Sequence, residues 1–495
     1  MLFNSFEFLF FFLPLTIAGL YVFGLRAHHR LAVAFLACAS LFFYGWANPA
    51  FLWLILVSMV VNHALWLFLV KTRACGTLAR KILLAGGITY NLGLLGYYKY
   101  ADFFLANLAA VSGGTHLPDN IAQPLAISFF TFQQIAFLVD SYRGETREQT
   151  LLHYVLFVSF FPQLIAGPIV RHHETMPQFI NRAFPRIRAE HVSVGLTLIC
   201  LGLFKKVVLA DSAASYVSPI FHAAEQGADL SFLDAWAGSL TYTFQLYFDF
   251  SGYTDMALGV ARLFGIYLPL NFNSPYKAVN VIDFWKRWHI SLSRFLRDYL
   301  YIALGGNRKG KARRYVNIMI TMLLCGLWHG ANWTFVLWGV LHGIFLVVNH
   351  VWRAVKLSVG ITADHWWSRI LAQGVTFIAV AAAWVLFRAE SLSGACNLLY
   401  AMTGLTGFAP HADFTPLALV ELLLGLSIIV FLLPNTIEIV DPKGYNLPEP
   451  GWCPIKPLRR IRWQPSLVWM AFAAVCALSA IYNLSEIREF IYSGF

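Results

Sequence analysis

Apolar runs long enough to cross a hydrocarbon core of about 30 Å, about 20 residues each, recur along the whole chain. They fall near Phe6 to Leu25, Leu31 to Ala47, Phe51 to Val70, Lys81 to Tyr98, Ile121 to Val139, Leu151 to Gly167, Val192 to Ala210 and Leu240 to Phe264. Others follow at Tyr315 to Trp328, Trp333 to Asn349, Ile370 to Phe387, Leu417 to Leu433 and Leu467 to Ile481. Lipid supplies no water to a stray peptide group, so spanning segments must be helices or a closed barrel. Continuous apolarity without alternation selects helices. The pattern predicts an all-α polytopic membrane protein with about 11–14 transmembrane or re-entrant helices.

Three stretches interrupt this pattern without splitting the chain, so residues 1–495 read as a single membrane domain with interfacial or cytosolic elements near 171–191, 271–314 and 441–464. The first carries Pro177 and Pro185 among Arg and His, and the last is rich in proline before Arg459, Arg460 and Arg462; both read as connectors. In the middle stretch Val281, Phe284, Trp285, Trp288, Leu292, Phe295, Leu296 and Tyr299 form a helical stripe opposite Lys286, Arg287, Arg294, Arg297 and Asp298. A basic amphipathic helix of this kind is expected at the membrane interface. A positive turn follows, through Gly305, Gly306, Arg308, Lys309, Gly310, Lys311, Arg313 and Arg314.

Composition agrees with a lipid solvent. Of 495 residues 58% are hydrophobic and 12% charged, against about 25% charged in a soluble domain. Glu7 stands where a signal peptide would be basic, and no small-residue cleavage site follows, so the first run is expected to stay as a span. Arg26 and Arg30, then Lys71, Arg73, Arg80 and Lys81, mark loops on one side; basic loops stay cytosolic, which places the N-terminus in the periplasm. The net charge of +11 is dispersed over membrane loops and does not point to nucleic acid. The seven cysteines include no C-x-x-C pair and lie mostly in apolar runs, so they read as packing residues, with no metal site expected.

Ionisable residues within spans are costly and ask for a reason. His329 lies in Cys325-Gly-Leu-Trp-His-Gly-Ala-Asn-Trp333, between two apolar segments, where Gly326 and Gly330 permit close approach of a backbone or a substrate. Apolar surroundings favour the uncharged imidazole, the state a general base needs. A histidine bonded to a neighbouring helix carbonyl would look the same. His289, in Arg287-Trp-His-Ile-Ser-Leu-Ser293, is a second candidate, whose plain reading is an interfacial histidine; His63, His342 and His350 are expected to be structural. Asp249 and Asp255 suit either proton relay or polar bonding between spans. There is no G-x-S-x-G or H-E-x-x-H, and Gly305 to Lys311 fails as a P-loop because Ala312 stands where a Mg²⁺ ligand is needed.

Several blocks together resemble the membrane-bound O-acyltransferase family, in its bacterial branch of alginate O-acetylation and D-alanylation proteins. They are Ile127-Ser-Phe-Phe-Thr-Phe-Gln-Gln134, Phe160-Phe-Pro-Gln-Leu-Ile-Ala-Gly-Pro168, Phe248-Asp-Phe-Ser-Gly-Tyr-Thr-Asp255, Asn271-Phe-Asn-Ser-Pro-Tyr276, Asp283-Phe-Trp-Lys-Arg-Trp-His-Ile-Ser-Leu-Ser293, Gly305-Gly-Asn-Arg-Lys-Gly310 and Leu327-Trp-His-Gly-Ala-Asn-Trp333. They follow the family's order over most of Met1 to Gly343, and the last quarter matches only generally. The resemblance implies a ring of tilted helices around a central funnel, with His329 at the position of the catalytic histidine. It puts His289 at a second signature position that is asparagine in many eukaryotic members. Ala303 departs from the proline common before the Gly-Gly turn, which touches a loop and no chemistry.

What the resemblance implies about function is an acetyl transfer that starts from cytosolic acetyl-CoA, as a substrate and not a bound cofactor, and serves a periplasmic acetyltransferase partner and an exopolysaccharide, alginate first, at a bacterial inner membrane. His329 would take the acceptor's proton, with His289 and Asn332 orienting groups or polarising the thioester carbonyl and Trp328, Trp288, Asp249 and Asp255 in support. Arg308, Lys309, Lys311, Arg313 and Arg314 would hold the donor's phosphates, although topology alone also produces basic loops. The rival from another class is a polysaccharide or acyl-lipid transporter, or an export subunit, which a dozen spans and buried carboxylates would also suit.

Overall fold

The computed structural model describes the chain except at positions 26–28, 48, 73–76, 114–120, 147–149, 182–183, 185–187, 361–364, 412, 448–460, 485–489 and 492–495. Arg26, Arg73, Pro185, Arg459 and Arg460, named above, lie outside the described residues, as do two of the seven cysteines, Cys75 and Cys453. Among the described residues every regular element is helical, and the protein is an all-α, multi-pass membrane protein. Six helices are long and apolar enough to span, within Glu7–Gly24, His29–Trp46, Pro49–Lys71, Ala189–Glu225, Trp333–Ser358 and Trp366–Arg388. Leu417–Leu432 and Leu467–Tyr482 are shorter apolar helices.

The chain forms two compact units. The first comprises residues 1–199 and 256–269. It contains α1 (Leu13–Leu25), α2 (His29–Ala47), α3 (Leu52–Lys71), α4 (Thr77–Leu95), α5 (Ala101–Ser112), α6 (Ile127–Arg143), α7 (Leu151–Ser159), α8 (Phe161–Leu164), α9 (His172–Ile180) and most of α10 (Ala189–Phe204). Phe8, Phe12, Phe43 and Phe161 build an aromatic core with ring centroids 5.1–6.1 Å apart. Polar side chains inside the apolar helices bond to one another: Asn62 of α3 and Asn91 of α4 exchange amide hydrogen bonds at 3.1 and 2.7 Å. Gln134 of α6 donates to Ser58 at 2.9 Å and accepts from the Tyr154 hydroxyl at 3.1 Å. A lone amide in lipid costs several kcal/mol, of the order of 2–7, so each finds a partner on a neighbouring helix.

The run Leu151 to Gly167 is not the single span its apolarity suggests. It breaks at Phe160 (φ −50°, ψ 107°), where Pro162 opens the short α8, and Gln163 donates back to the Phe157 carbonyl at 2.7 Å. Proline has no N–H to continue the ladder, and its ring crowds the carbonyl four residues earlier, so α7 cannot run on through Pro162. The 171–191 stretch, read as a loop, contains α9, whose Thr175, Met176 and Phe179 are buried.

The second unit comprises residues 200–255 and 270–491. Its helices are α11 (Asp211–Glu225), the part of α12 (Phe232–Leu263) up to Asp255, α13 (Val281–Trp285), α14 (Ile290–Phe295), α15 (Gly310–His329), α16 (Trp333–Ser358), α17 (Trp366–Arg388), α18 (Leu392–Ala401), α19 (Leu417–Leu432), α20 (Thr436–Val440) and α21 (Leu467–Tyr482). Helices α15 and α16 form a tight hairpin. A Cβ on Gly326 would overlap the Phe335 carbonyl, and one on Gly339 would overlap the Met322 carbonyl, so backbone packs on backbone at that level. Small residues at helix contacts in lipid allow this approach.

Asp249 and Asp255 of α12 are not free carboxylates. Lys206 Nζ lies 2.6 Å from Asp249 and 2.8 Å from Asp211, and Lys205 Nζ lies 2.8 Å from Asp255. The Ile491 amide also donates to Asp249 at 3.1 Å. A Cβ on Gly252 would reach the Gly202 carbonyl at 2.7 Å, so the lysine-bearing backbone and α12 run in close contact. Breaking a buried pair by removing one partner typically costs about 3–5 kcal/mol, because the remaining charge is left without compensation. Lys206→Met should therefore lower the melting temperature of the detergent-purified protein strongly, and adding Asp249→Leu should recover part of the loss. An unchanged melting temperature in the single variant would show that the lysine does not hold these helices.

Candidate active site

The expected amphipathic helix from Val281 to Tyr299 is interrupted, and the interruption positions His289. Helix α13 ends at Trp285, the chain turns, and α14 restarts at Ile290, followed by a wide-turn π segment, Leu296–Tyr301. The break follows from pairing with an extended strip. Asn273 N donates to the Arg287 carbonyl at 2.9 Å, and Ile290 N donates to the Asn271 carbonyl at 3.0 Å. These bonds take the place of helical ones and leave His289 at φ 42°, ψ 56°, in the left-handed region. Such a conformation costs a non-glycine residue of the order of 1–3 kcal/mol and collects at functional sites. The apolar stripe is buried in protein rather than turned to a membrane surface: Phe284, Trp288 and Leu292 are all inaccessible.

Asn271 organises this turn. Its Oδ1 accepts from the Ser291 backbone N–H at 3.2 Å and from Ser291 Oγ at 2.9 Å, and it lies 3.1 Å from His289 Nδ1. A backbone N–H can only donate, so this atom of Asn271 is the oxygen, and Nδ1 of a neutral His289 must carry the hydrogen. Nε2 is then the ring's accepting nitrogen. Asn271 belongs to one of the motifs quoted above without a role of its own; it lies 18 positions before His289 and in a separate segment, so no local pattern joins the two.

His329 ends α15, because Gly330 turns extended (φ −168°) and Asn332 caps α16 by accepting from Thr334 N at 3.1 Å. The Gly330 position has no room for a Cβ beside the Phe335 ring. The His329 ring is packed by Trp328, Trp338 and Phe387 at centroid distances of 4.9, 5.1 and 5.1 Å, and its centroid lies 6.5 Å from that of His289. Phe250 meets His289 edge-on at 4.9 Å. Both histidines are closed off from solvent, at 2% and 0% exposure.

The structure brings His329, His289 and Trp328 together, with Trp288 behind Phe272 at 5.0 Å. It commits Asn332 elsewhere: beyond its cap, the amide donates to the Glu390 carbonyl at 3.0 Å. Asp249 and Asp255 sit in their lysine pairs. Arg308, Lys309, Lys311 and Arg313 are exposed around the turn before α15, and Arg314 stacks on Tyr315 at 4.9 Å. Gly305, Gly306 and Gly310 take φ of 106°, 56° and 85° there, and Asn317 holds the turn by donating to the Gly306 carbonyl at 2.8 Å. A cavity of about 540 Å³ opens between α13, α14, α15 and α16, walled by Trp285, Ile290, Met322 and Leu346 and edged by Lys286, Arg294 and His350. Neither His329 nor His289 lines it.

Comparison with known proteins identifies the family. Residues 22–387 match the model of the membrane-bound O-acyltransferase family. The chain is 43% identical over 433 residues to a peptidoglycan O-acetyltransferase of Helicobacter pylori, covering 82% of this chain and 80% of that protein. It is 40% identical over 411 residues to a probable alginate O-acetylase of Pseudomonas aeruginosa, covering 81% and 75%. Against a teichoic acid D-alanyltransferase of Bacillus subtilis it is 28% identical over 270 residues, covering 53% and 68%. With the matched region running from the first span through α17 and holding both histidines, the chain belongs to the membrane-bound O-acyltransferase family and is a membrane acyltransferase.

Proposed function

We propose that this protein takes acetyl from cytosolic acetyl-CoA and passes it across the bacterial inner membrane for O-acetylation of an exopolysaccharide, together with periplasmic acetyltransferase partners. The observation that carries the reading is the buried pair of imidazoles, 6.5 Å apart, one at a helix end and the other in a strained turn fixed by Asn271. A thioester is already activated, so the protein has to remove a hydroxyl proton and accommodate the charge that develops. His329 takes the acceptor's proton as its oxygen attacks the acetyl carbonyl. The C–S bond breaks, and the departing thiolate recovers that proton. His289, with Nδ1–H given to Asn271, offers Nε2 as an acceptor, which suits it to orient the attacking hydroxyl rather than to polarise the thioester carbonyl.

The positive-inside rule, applied to the basic turn before α15 itself, puts that turn on the cytosolic, donor side. Alginate remains the first choice of polymer from the motifs, and peptidoglycan is the second, supported by the relative of that name. The transporter alternative drew on buried carboxylates, and pairing of Asp249 and Asp255 with lysines removes that support.

His329→Ala, at normal membrane abundance, should lower polymer acetylation and release of free coenzyme A by about 10²–10⁴; retention of either would remove the assignment. Asn271→Ala should reproduce the kinetic loss of His289→Ala, and a wild-type rate in the asparagine variant would separate it from the site. Reversing charge at Arg308 and Lys309 should raise the donor KM while kcat changes little. An unchanged KM would mean that the basic turn reflects topology alone.

A further inference from the structure

His342 is fully buried on α16, and neither ring nitrogen has a hydrogen-bond partner among the described residues. Its surroundings are aromatic: Trp338 at 4.8 Å, Trp285 at 5.3 Å, Phe345 at 5.7 Å, Phe284 at 6.1 Å and Trp384 at 6.2 Å. A phenylalanine would satisfy such a cage better, because an unsatisfied buried polar atom carries its full desolvation cost. The ring makes sense if its partner is a ligand.

The helix shows which ligand. Trp338, His342, Leu346 and His350 recur every four residues and so form one stripe that winds along α16, rising about 18 Å at 1.5 Å per residue and turning by about 40° at each step. At one end of this stripe Trp338 touches the His329 ring at 5.1 Å. At the other, Leu346 and His350 line the 540 Å³ cavity, whose edge carries Lys286 and Arg294. Trp285 belongs to both the cavity wall and the cage. His342 thus stands between a cavity with a cationic edge and the imidazole assigned to proton transfer.

The geometry points to His342 as a binding residue for the amide-bearing arm of the thioester donor, on its way from the cavity to His329. A neutral imidazole presents one N–H donor and one lone-pair acceptor, and a secondary amide presents the complementary C=O and N–H. The cationic edge suits the phosphates at the far end of such a donor. The inference rests on the acyl-transfer reading above and adds a donor-recognition residue to it.

The test uses full-length protein in lipid nanodiscs and a thioether analogue of acetyl-CoA that cannot transfer its acyl group, so binding is read without turnover. Parent protein should bind the analogue. His342→Phe, which keeps the aromatic packing, should weaken that affinity and raise the donor KM about tenfold, the loss of one neutral hydrogen bond. His342→Gln, which keeps a donor and an acceptor, should recover most of the affinity. If the Phe variant fails to accumulate in membranes, His342→Leu supplies the apolar arm of the comparison. Equal affinity in parent and apolar variants overturns the inference while leaving the His329 assignment intact. A change confined to the KM of the saccharide acceptor overturns it equally. Failure of the parent to bind the analogue overturns both readings.

Discussion

In a hydrocarbon solvent a polar side chain can be satisfied only by the protein, and that constraint explains where this chain spends its polarity. Asn62 and Asn91 close on each other, Gln134 bridges Ser58 and Tyr154, and Lys205 and Lys206 pair with three carboxylates. The same requirement operates at the candidate site, where Asn271 serves His289 and Ser291 with one oxygen. Each arrangement fixes a helix or turn in register as well as removing a cost. At His342 both ring nitrogens lack a partner among the described residues, which is why it invites a functional reading.

Placement of His329 depends on a second contact, made by atoms rather than charges. Because Gly326 and Gly339 let α15 and α16 meet backbone to backbone, Trp338 is brought beside the last residue of α15. The interruption at Gly330 then ends the helix at the imidazole, and Asn332 restarts the chain with a cap tied to Glu390. Glu225 receives the amides of Glu390 and Ser391 and the Ser391 hydroxyl, so the corner following α17 is anchored to the end of α11.

Most helices were legible in the sequence, because period and apolar length are local signals. The runs at Phe51, Trp333 and Ile370 match α3, α16 and α17 closely. Local signals failed where distant chain competed. The stripe from Val281 to Tyr299 has a helical period throughout, yet hydrogen bonds to residues 271–273 divide it, and no property of the stripe itself reveals them. Likewise the carboxylates of α12 were visible as costly residues, but their partners are the adjacent lysines just past α10, 43 and 50 positions earlier. His329 and His289 were found by type and motif; Asn271 and the cage around His342 required coordinates.

The backbone at position 289 carries one more implication. Among residues with a side chain, the left-handed region is entered most readily by asparagine, aspartate and histidine, whose short polar groups tolerate it. Two of those three are the residues that alternate at the second signature position of the family this chain resembled from its motifs. The torsion at φ 42° therefore acts as a filter that precedes any chemistry. It narrows the alphabet at that position first, and the reaction selects from what the backbone admits.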